Sequence, residues 1–199
     1  MIKKFFAAVM LIALMAVTQD ACAAPEINYQ VHVQDIGWMH PVGEGEVAGT
    51  EGRSKRIEAI IINCSSPIEY NAHLQDWGWQ GWVSQGYIAG TVNEGRRLEG
   101  IRIRFADSMA DIYDIYYRAY VQDIGWQRWV KNGQVAGTEG RGKRMEALQI
   151  RIVRKGESFG NDRYDSDRYG NDRYDRYDRR RHRRGYDYYD EDDYYGYYR

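Results

Sequence analysis

The chain reads VQDIGW at residues 121–126 and VAGTEGR at 135–141, and the same two strings, again eight residues apart, occur at 33–38 and 47–53. A third and more diverged copy, HLQDWGWQGWVSQGYIAGTVNEGRRLEG, covers 73–100. The copies align without a gap from an opening Tyr to a closing Glu, and they start 41 and then 47 residues apart. A fixed period near 40 residues indicates a repeat architecture, in which one unit buries its apolar surface against its neighbours.

Several residue types recur at one position in all three copies. Besides the opening Tyr they are a Trp, a Gly, an Arg and a Glu. In chain order the three equivalents are Tyr29, Tyr70 and Tyr117; Trp38, Trp79 and Trp126; Gly49, Gly90 and Gly137; Arg56, Arg97 and Arg144; and Glu58, Glu99 and Glu146.

Each copy has the pattern of short β-strands separated by turns. In the third copy, 117–122 and 126–130 are strand candidates, with the turn residues Asp and Gly between them and an Asn-Gly dipeptide after them. The last segment, 145–152, alternates apolar and polar residues for most of its length, and 57–62 and 98–103 are its counterparts. The repeats have no sustained helical periodicity, so we expect an all-β domain.

Three equivalent β units predict a pseudo-threefold closed domain, because closure around an axis removes exposed sheet edges. Two architectures fit this expectation. In a β-prism each repeat forms its own sheet, whereas in a β-trefoil the repeats contribute hairpins to a barrel. Each repeat resembles a self-contained small sheet, which favours the prism and leaves the trefoil as the alternative.

The N-terminus has the features of a secretory signal peptide. Two lysines precede an apolar run over 5–17, and the small residues Ala21 and Ala23 follow. We predict cleavage after Ala23, with lipid attachment at Cys22 as the less favoured alternative. After cleavage only Cys64 remains, so no intramolecular disulfide is expected, and the mature protein should be secreted, with no membrane-spanning segment.

The remainder divides into a folded part and a tail. Residues 24–156 are long enough for one domain with its own core. From 157 to 199 the chain is almost entirely Tyr, Asp, Arg, Gly and Asn, a composition that predicts disorder. The tail mixes a basic run over 179–184 with acidic residues, which predicts weak self-association and no specific binding to nucleic acid. The formal net charge of −1 gives the whole chain no bias toward polyanions.

The repeats resemble the clostridial hydrophobic repeat with a conserved tryptophan, known as ChW. The pattern Tyr…HVQ-D-IGW…W-V-NG…AGT-G…KRIEAI-I carries the resemblance, over 29–63, 70–104 and 117–153. It implies an exported interaction module of the bacterial surface that recognises polysaccharides, cell-wall polymers or surface proteins. Repeat 1 departs from the pattern, because Pro41 occupies the position of Trp82 and Trp129.

The six Trp residues all lie in the repeats and divide into candidates for the core and for a site. Large aromatic side chains dominate cores, and we predict that Trp38, Trp79 and Trp126 form a core layer. Trp82 and Trp129 come three residues after the shared Trp. A partly exposed indole near polar groups is a surface on which a sugar ring stacks, so these two are candidate ligand residues.

Polar pairs recur before the turn that precedes the shared Trp, and they are the other candidates for ligand binding. They have two interpretations, turn-forming residues or hydrogen-bond partners of a saccharide. The pairs are Gln34 with Asp35, Gln75 with Asp76, and Gln122 with Asp123.

The shared Arg side chains have two readings as well. We expect them either to be solvated or to pair with the shared Glu two residues later, with an anionic ligand as the alternative.

His32 and His73 share one position with Tyr120, which favours packing over catalysis. No catalytic residue stands apart from the repeat pattern, and the repeats contain no calcium-loop spacing. We therefore expect neither enzymatic activity nor a metal or other cofactor.

Overall fold

The computed structural model describes residues 23–157. Apart from their boundary residues, the predicted signal peptide (1–23) and the predicted disordered tail (157–199) lie outside this range. The strands are β1 (Ile27–Val33), β2 (Gly37–Trp38), β3 (Val42–Gly43), β4 (Ala48–Gly49), β5 (Ile57–Cys64), β6 (Ile68–Leu74), β7 (Gly78–Trp79), β8 (Val83–Ser84), β9 (Ala89–Gly90), β10 (Leu98–Phe105), β11 (Tyr113–Val121), β12 (Gly125–Trp126), β13 (Val130–Lys131), β14 (Ala136–Gly137) and β15 (Met145–Arg154). One turn of 3₁₀ helix, Ser108–Asp111, joins β10 to β11.

Each repeat is organised around one antiparallel pair of long strands: β1 with β5, β6 with β10, and β11 with β15. Two short strands of the same repeat extend the first long strand of each pair, so that β2 and β3 pair with β1. These strands are rich in β-branched and aromatic residues, which suit a half-buried pleated surface. The prediction of an all-β domain of three repeats is confirmed.

The fifth strand of each sheet comes from a different repeat. In sheet 1, β9 of repeat 2 pairs with β5; in sheet 2, β14 of repeat 3 pairs with β10; and in sheet 3, β4 of repeat 1 pairs with β15. The exchange is therefore cyclic, since repeat 1 supplies the strand that completes repeat 3. The structure thus has three sheets, one centred on each repeat. The choice between a β-prism and a β-trefoil stays a prediction.

The shared glycines make this exchange possible. Gly49, Gly90 and Gly137 have φ between +105° and +112°, and each lies against the backbone of the shared Glu in the neighbouring repeat. A Cβ atom at Gly90 would come within 2.3 Å of the carbonyl oxygen of Glu58. Only a residue without a side chain fits such an approach.

The core is one cluster of inward-facing side chains from all three repeats, including Val31, Ile60 and Leu148. Its largest members are the shared tyrosines Tyr29, Tyr70 and Tyr117, which are fully buried. Burial raises the pKa of Tyr29 and of Tyr117 to about 12. Their hydroxyl groups therefore remain protonated donors at neutral pH.

The prediction that the shared tryptophans form a core layer is wrong. Trp38 is 36% exposed, and Trp79 and Trp126 are only half-buried. Val31 and Val33 face the core, so His32 between them lies on the outer face of β1. Trp38 is the cross-strand partner of His32 and therefore lies on the same outer face of the sheet. The buried aromatic layer consists of tyrosines instead.

Candidate functional site

The candidate site is formed by the outer faces of the three sheets, where side chains of the long strands alternate away from the core. On sheet 2 the outward residues include Asn71 and His73 of β6 and Arg102 and Arg104 of β10. The same positions of sheet 3 hold Arg118, Tyr120, Gln149 and Arg151, and those of sheet 1 hold Gln30, His32, Ile61 and Asn63. The three faces have the same backbone arrangement and differ in their side chains.

The shared Trp packs edge-on against the ring at the cross-strand position. The ring centroids lie 5.5 Å apart for His32 and Trp38, and 5.6 Å apart for Tyr120 and Trp126, with planes at 79° and 84°. Such edge-to-face contacts between aromatic rings are favourable. The prediction that the His32 position serves packing agrees with this contact.

Trp82 lies on the outer face of sheet 2, near Gly133 of repeat 3. It is 36% exposed, and the guanidinium carbon of Arg104 lies 4.0 Å from its ring centroid. A Cβ atom at Gly133 of repeat 3 would be 4.0 Å from Cη2 of this indole. Arg104 also bonds Glu69 through Nε and Nη2, at 3.1 and 2.8 Å. The planar cation is thereby held over the Trp ring.

Trp129 occupies the equivalent position on sheet 3 and is associated with two arginines. Arg118 lies 4.7 Å and Arg151 5.6 Å from its ring centroid, and Arg118 also lies 4.9 Å from that of Trp126. Indole and guanidinium groups thus alternate along this face. Stacking of this kind is a cation–π interaction.

The outer face of sheet 1 has a different chemistry. Pro41 replaces the second Trp, and Ile61 and Asn63 stand where sheet 2 has its two arginines. In the register of the exchanged strand, Ile60 lies opposite Ala89, which brings the exposed Ile88 next to Ile61. This face combines the apolar side chains of Ile61 and Ile88 with uncharged polar ones such as Gln30 and Asn63, and it carries no arginine from its long strands.

The predicted Gln–Asp ligand residues lie in the turns between the first long strand and the first short strand. Asp35, Asp76 and Asp123 adopt left-handed φ near +60°. Asp35 accepts a hydrogen bond from Lys55 and Asp123 one from Lys143, each 2.6 Å, and these bonds lower the pKa of both carboxyl groups. These two aspartates are thus residues of the turn that also form surface ion pairs.

The structure does not bring the Gln–Asp turn to the second Trp. On sheet 2, Gly81, next to Trp82, donates to Oδ1 of Asn71 at 3.2 Å, whereas Gln75 follows the end of β6. At ~3.3 Å per residue, the turn lies about 13 Å farther along the strand. One sugar ring cannot contact both groups, so a shared site would need a polymer of several units.

The shared Arg and Glu side chains pair with each other, as one of the two readings predicted. The Nη2–Oε1 distance is 2.7 Å for Arg56 and Glu58, and the glutamate is almost fully buried. The other two pairs have the same geometry, at 2.7 Å for Arg97 with Glu99 and 2.9 Å for Arg144 with Glu146.

These pairs lie at the junctions between repeats. Ser54 of repeat 1 donates its N–H to Glu146 of repeat 3 at 3.2 Å. On the other two glutamates, Nδ1 of His32 lies 3.1 Å from Glu58 and that of His73 lies 3.5 Å from Glu99. Partnered burial of this kind identifies the shared Arg as structural, since an isolated buried carboxylate is costly.

The sequence did not single out Arg102, Arg104, Arg118 and Arg151, which the structure brings next to the tryptophans. For Arg102, Arg104 and Arg151 the sequence signal is the alternation of Arg with Ile in IRIRF and QIRI, which places the charged residues on one face of a strand. Arg118 lies between Tyr117 and Ala119 in YYRAY, outside these two strings. Which indole each arginine contacts depends on strand pairing between distant segments.

Two further properties concern the described part of the chain. Among residues 23–157, no group of three or more His, Cys, Asp or Glu side chains has an arrangement that would hold a metal ion. The same range contains no helix with the length and hydrophobicity to cross a bilayer.

The pairing pattern and the outer faces define an all-β protein of three repeats that exchange strands in a ring. The family model described as Clostridial hydrophobic W matches the chain three times, at residues 32–65, 73–107 and 120–154. These matches cover more than half of the sequence, and the chain belongs to this family. The resemblance stated from the sequence is confirmed, with each matched segment starting three residues later than expected. No curated protein and no solved structure matches the chain.

Proposed function

We propose that this protein is an exported, non-catalytic binding module that recognises carbohydrate or cell-wall polymer at the bacterial surface. The observation that carries the proposal is the equivalent placement of Trp82 and Trp129 on two outer faces, each next to planar arginine donors. Indole rings beside hydrogen-bonding groups are typical of sugar recognition. Two related faces on one chain would also raise the affinity for a polymer through multivalency.

The proposal predicts that the second Trp residues are required for binding. The full-length chain would be incubated with insoluble cell-wall material and with polysaccharides, and the bound fraction measured after sedimentation. Replacing Trp82 and Trp129 together by Ala should lower the affinity by about tenfold or more, the usual effect of removing an aromatic binding residue.

The control variant is Trp77→Ala. Trp77 is 61% exposed and lies beside Arg96, at 5.5 Å, in the turn of repeat 2 rather than on the outer face. We expect its binding to equal that of the wild type. Undiminished binding by the double variant would contradict the proposed role of the two tryptophans.

A protein–protein scaffold or adhesin is the second candidate, and a group of exposed apolar side chains on the outer face of sheet 1 favours it. This face combines the exposed Trp38 and Ile88 with Ile61, and Tyr87 beside them is 69% exposed. Apolar residues grouped on a surface often mark protein contacts. The test is attachment of the protein to target cells treated with protease or stripped of glycans. Attachment that is lost after protease treatment but survives glycan removal would favour this candidate.

A further inference from the structure

Two solvent-accessible ion pairs lie on the outer face of sheet 2. Nη2 of Arg104 is 2.8 Å from Oε2 of Glu69, which lies opposite it on β6. Nη2 of Arg102 is 3.0 Å from Oε1 of Glu139, which belongs to repeat 3. The two pairs together carry no net charge. Their arginines are two residues apart on β10, so the pairs are about 7 Å apart along the strand.

Each ion pair is next to an indole ring. The guanidinium carbon of Arg104 lies 4.0 Å from the ring centroid of Trp82, and that of Arg102 lies 4.0 Å from the ring centroid of Trp79. A ligand that reaches this face therefore meets an aromatic ring, a cation and a carboxylate together at two neighbouring places.

The fold does not require these two ion pairs, because the other two sheets form without them. In the register of the long strands, different residues stand at the positions of Glu69 and Arg102. They are Asn28 and Ile61 in sheet 1, and Tyr116 and Gln149 in sheet 3. Ion pairs that are open to solvent also contribute little to stability. The placement of the pairs beside the indoles thus favours a role in ligand recognition.

Each pair retains hydrogen-bonding groups that a ligand can use. Arg104 bonds Oε2 of Glu69 through Nε and Nη2, and Arg102 bonds Oε1 of Glu139 through Nη2. Within residues 23–157, Nη1 of each arginine and the second carboxylate oxygen of each glutamate make no hydrogen bond. A hydroxyl group can both donate and accept. Of two adjacent sugar hydroxyls, one can donate to the carboxylate while the other accepts from the guanidinium group.

We propose that the outer face of sheet 2 binds a neutral polysaccharide, whose adjacent hydroxyl groups are held by the two ion pairs and whose rings contact the indoles of Trp79 and Trp82. This inference rests on the proposed carbohydrate-binding function and names its substrate class.

The carboxylates of the two pairs select against acidic polymers. A ligand carboxylate that approaches Arg104 meets the negative charge of Glu69, and one that approaches Arg102 meets that of Glu139. Like charges brought together at an interface disfavour the wrong partner. A neutral sugar meets no such repulsion and can bond both members of each pair.

The test compares two polymers that differ only in their acid groups. Polygalacturonate and its neutral, carboxyl-reduced form would be titrated into the full-length chain, and binding measured by calorimetry. The chain carries Trp129→Ala, which removes the second Trp of sheet 3, so that the face of sheet 2 is measured. We expect the neutral form to bind about tenfold more tightly, the scale of one hydrogen bond to a charged group.

Glu69→Gln together with Glu139→Gln should change the binding of the two polymers in opposite directions. The neutral form should bind about tenfold more weakly because two acceptors are lost. The acidic form should bind more tightly because two guanidinium groups lose their carboxylate partners. Loss of folding would weaken the binding of both polymers. The matched control, Glu26→Gln with Glu51→Gln, removes the same charge from exposed residues and should keep the original preference.

The outcomes separate this inference from the proposed function. Equal or tighter binding of the acidic polymer before the Glu substitutions, or unchanged binding after them, overturns the inference and leaves carbohydrate binding intact. Binding of wall material without binding of the neutral polymer also overturns the inference alone. Binding of no polysaccharide and no wall material overturns the proposed function as well.

Discussion

At the scale of single residues, the shared tyrosines join neighbouring repeats through their hydroxyl groups. The Tyr70 hydroxyl accepts a hydrogen bond from the N–H of Ile62 in repeat 1, at 3.1 Å, and donates one to the carbonyl of Tyr87. Tyr29 makes the equivalent bonds to Ile150 of repeat 3 and to Glu46. The hydroxyl thereby satisfies backbone groups that would otherwise be buried without partners.

Replacing Tyr70 by Phe should destabilise the domain, because the N–H of Ile62 and the carbonyl of Tyr87 lose their common partner. We expect the free energy of unfolding, measured by urea denaturation, to fall by about 1–3 kcal/mol. Tyr87→Phe is the control. The Tyr87 side chain is 69% exposed, and removing its hydroxyl group should change the free energy of unfolding by less than ~0.5 kcal/mol. Equal stability of Tyr70→Phe and the wild type would contradict the role assigned to the hydroxyl.

At the scale of elements, the two-residue strands β4, β9 and β14 connect the repeats. Each is only an Ala-Gly pair, too short to be stable alone. The Ala is buried, and the Gly lets the strand approach its partner closely. Backbone hydrogen bonds extend the contact. The N–H groups of Thr50, Thr91 and Thr138 donate to the backbone carbonyl oxygens of the shared glutamates, at 2.7–2.9 Å.

Gly90→Ala should weaken the attachment of β9 to β5. The new methyl group would lie 2.3 Å from the carbonyl oxygen of Glu58, at a φ of +111°. We expect a loss of about 2–5 kcal/mol from backbone strain and steric overlap together.

Gly78→Ala separates the two causes of that loss. Gly78 has a φ of +79° but no heavy atom within 4 Å of the added Cβ, so the substitution should cost only about 1–2 kcal/mol. Thermal unfolding of both variants would be compared by calorimetry. A Gly78 variant as unstable as the Gly90 variant would show that the close approach is unimportant.

At the scale of the whole molecule, cyclic exchange makes every repeat depend on both others. Repeat 1 takes β9 from repeat 2 and gives β4 to repeat 3, and Tyr29 bonds Ile150 across the same junction. In a linear array of repeats, each unit contacts only its sequence neighbours. Here the first and last repeats are neighbours as well, and we expect one cooperative unfolding transition.

Removal of repeat 3 should therefore abolish folding. A chain covering residues 24–107 retains two repeats but lacks the partner of β4 and the strand that pairs with β10. We expect no cooperative thermal transition by circular dichroism. Adding a separate fragment of residues 108–157 should restore the transition, because it supplies both missing partners. Cooperative unfolding of the two-repeat chain by itself would contradict the cyclic dependence.

Much of the fold could be predicted because its signals are local. The period near 40 residues, the strand alternation and the turn residues give three β units without any long-range information. The shared Arg–Glu pairs were also predictable, because the Arg immediately precedes a long strand and the Glu is the second residue of that strand. Trp38 was assigned to the core wrongly. Its face depends on the register across a turn with a left-handed Asp35, which alternation along one strand does not reveal.

The sequence by itself determined the number of repeats, the β class and the family of this protein, since each depends on residue order within one unit. Only the tertiary structure decided which repeat completes which sheet, that tyrosines form the buried aromatic layer, and that arginines contact Trp82 and Trp129. The physical reason is that these contacts join residues distant in sequence. Trp129 and Arg151 meet because β13, which follows Trp129, pairs with β11, and β11 pairs with β15. Gln149 contacts Gly45 because β4 crosses to repeat 3.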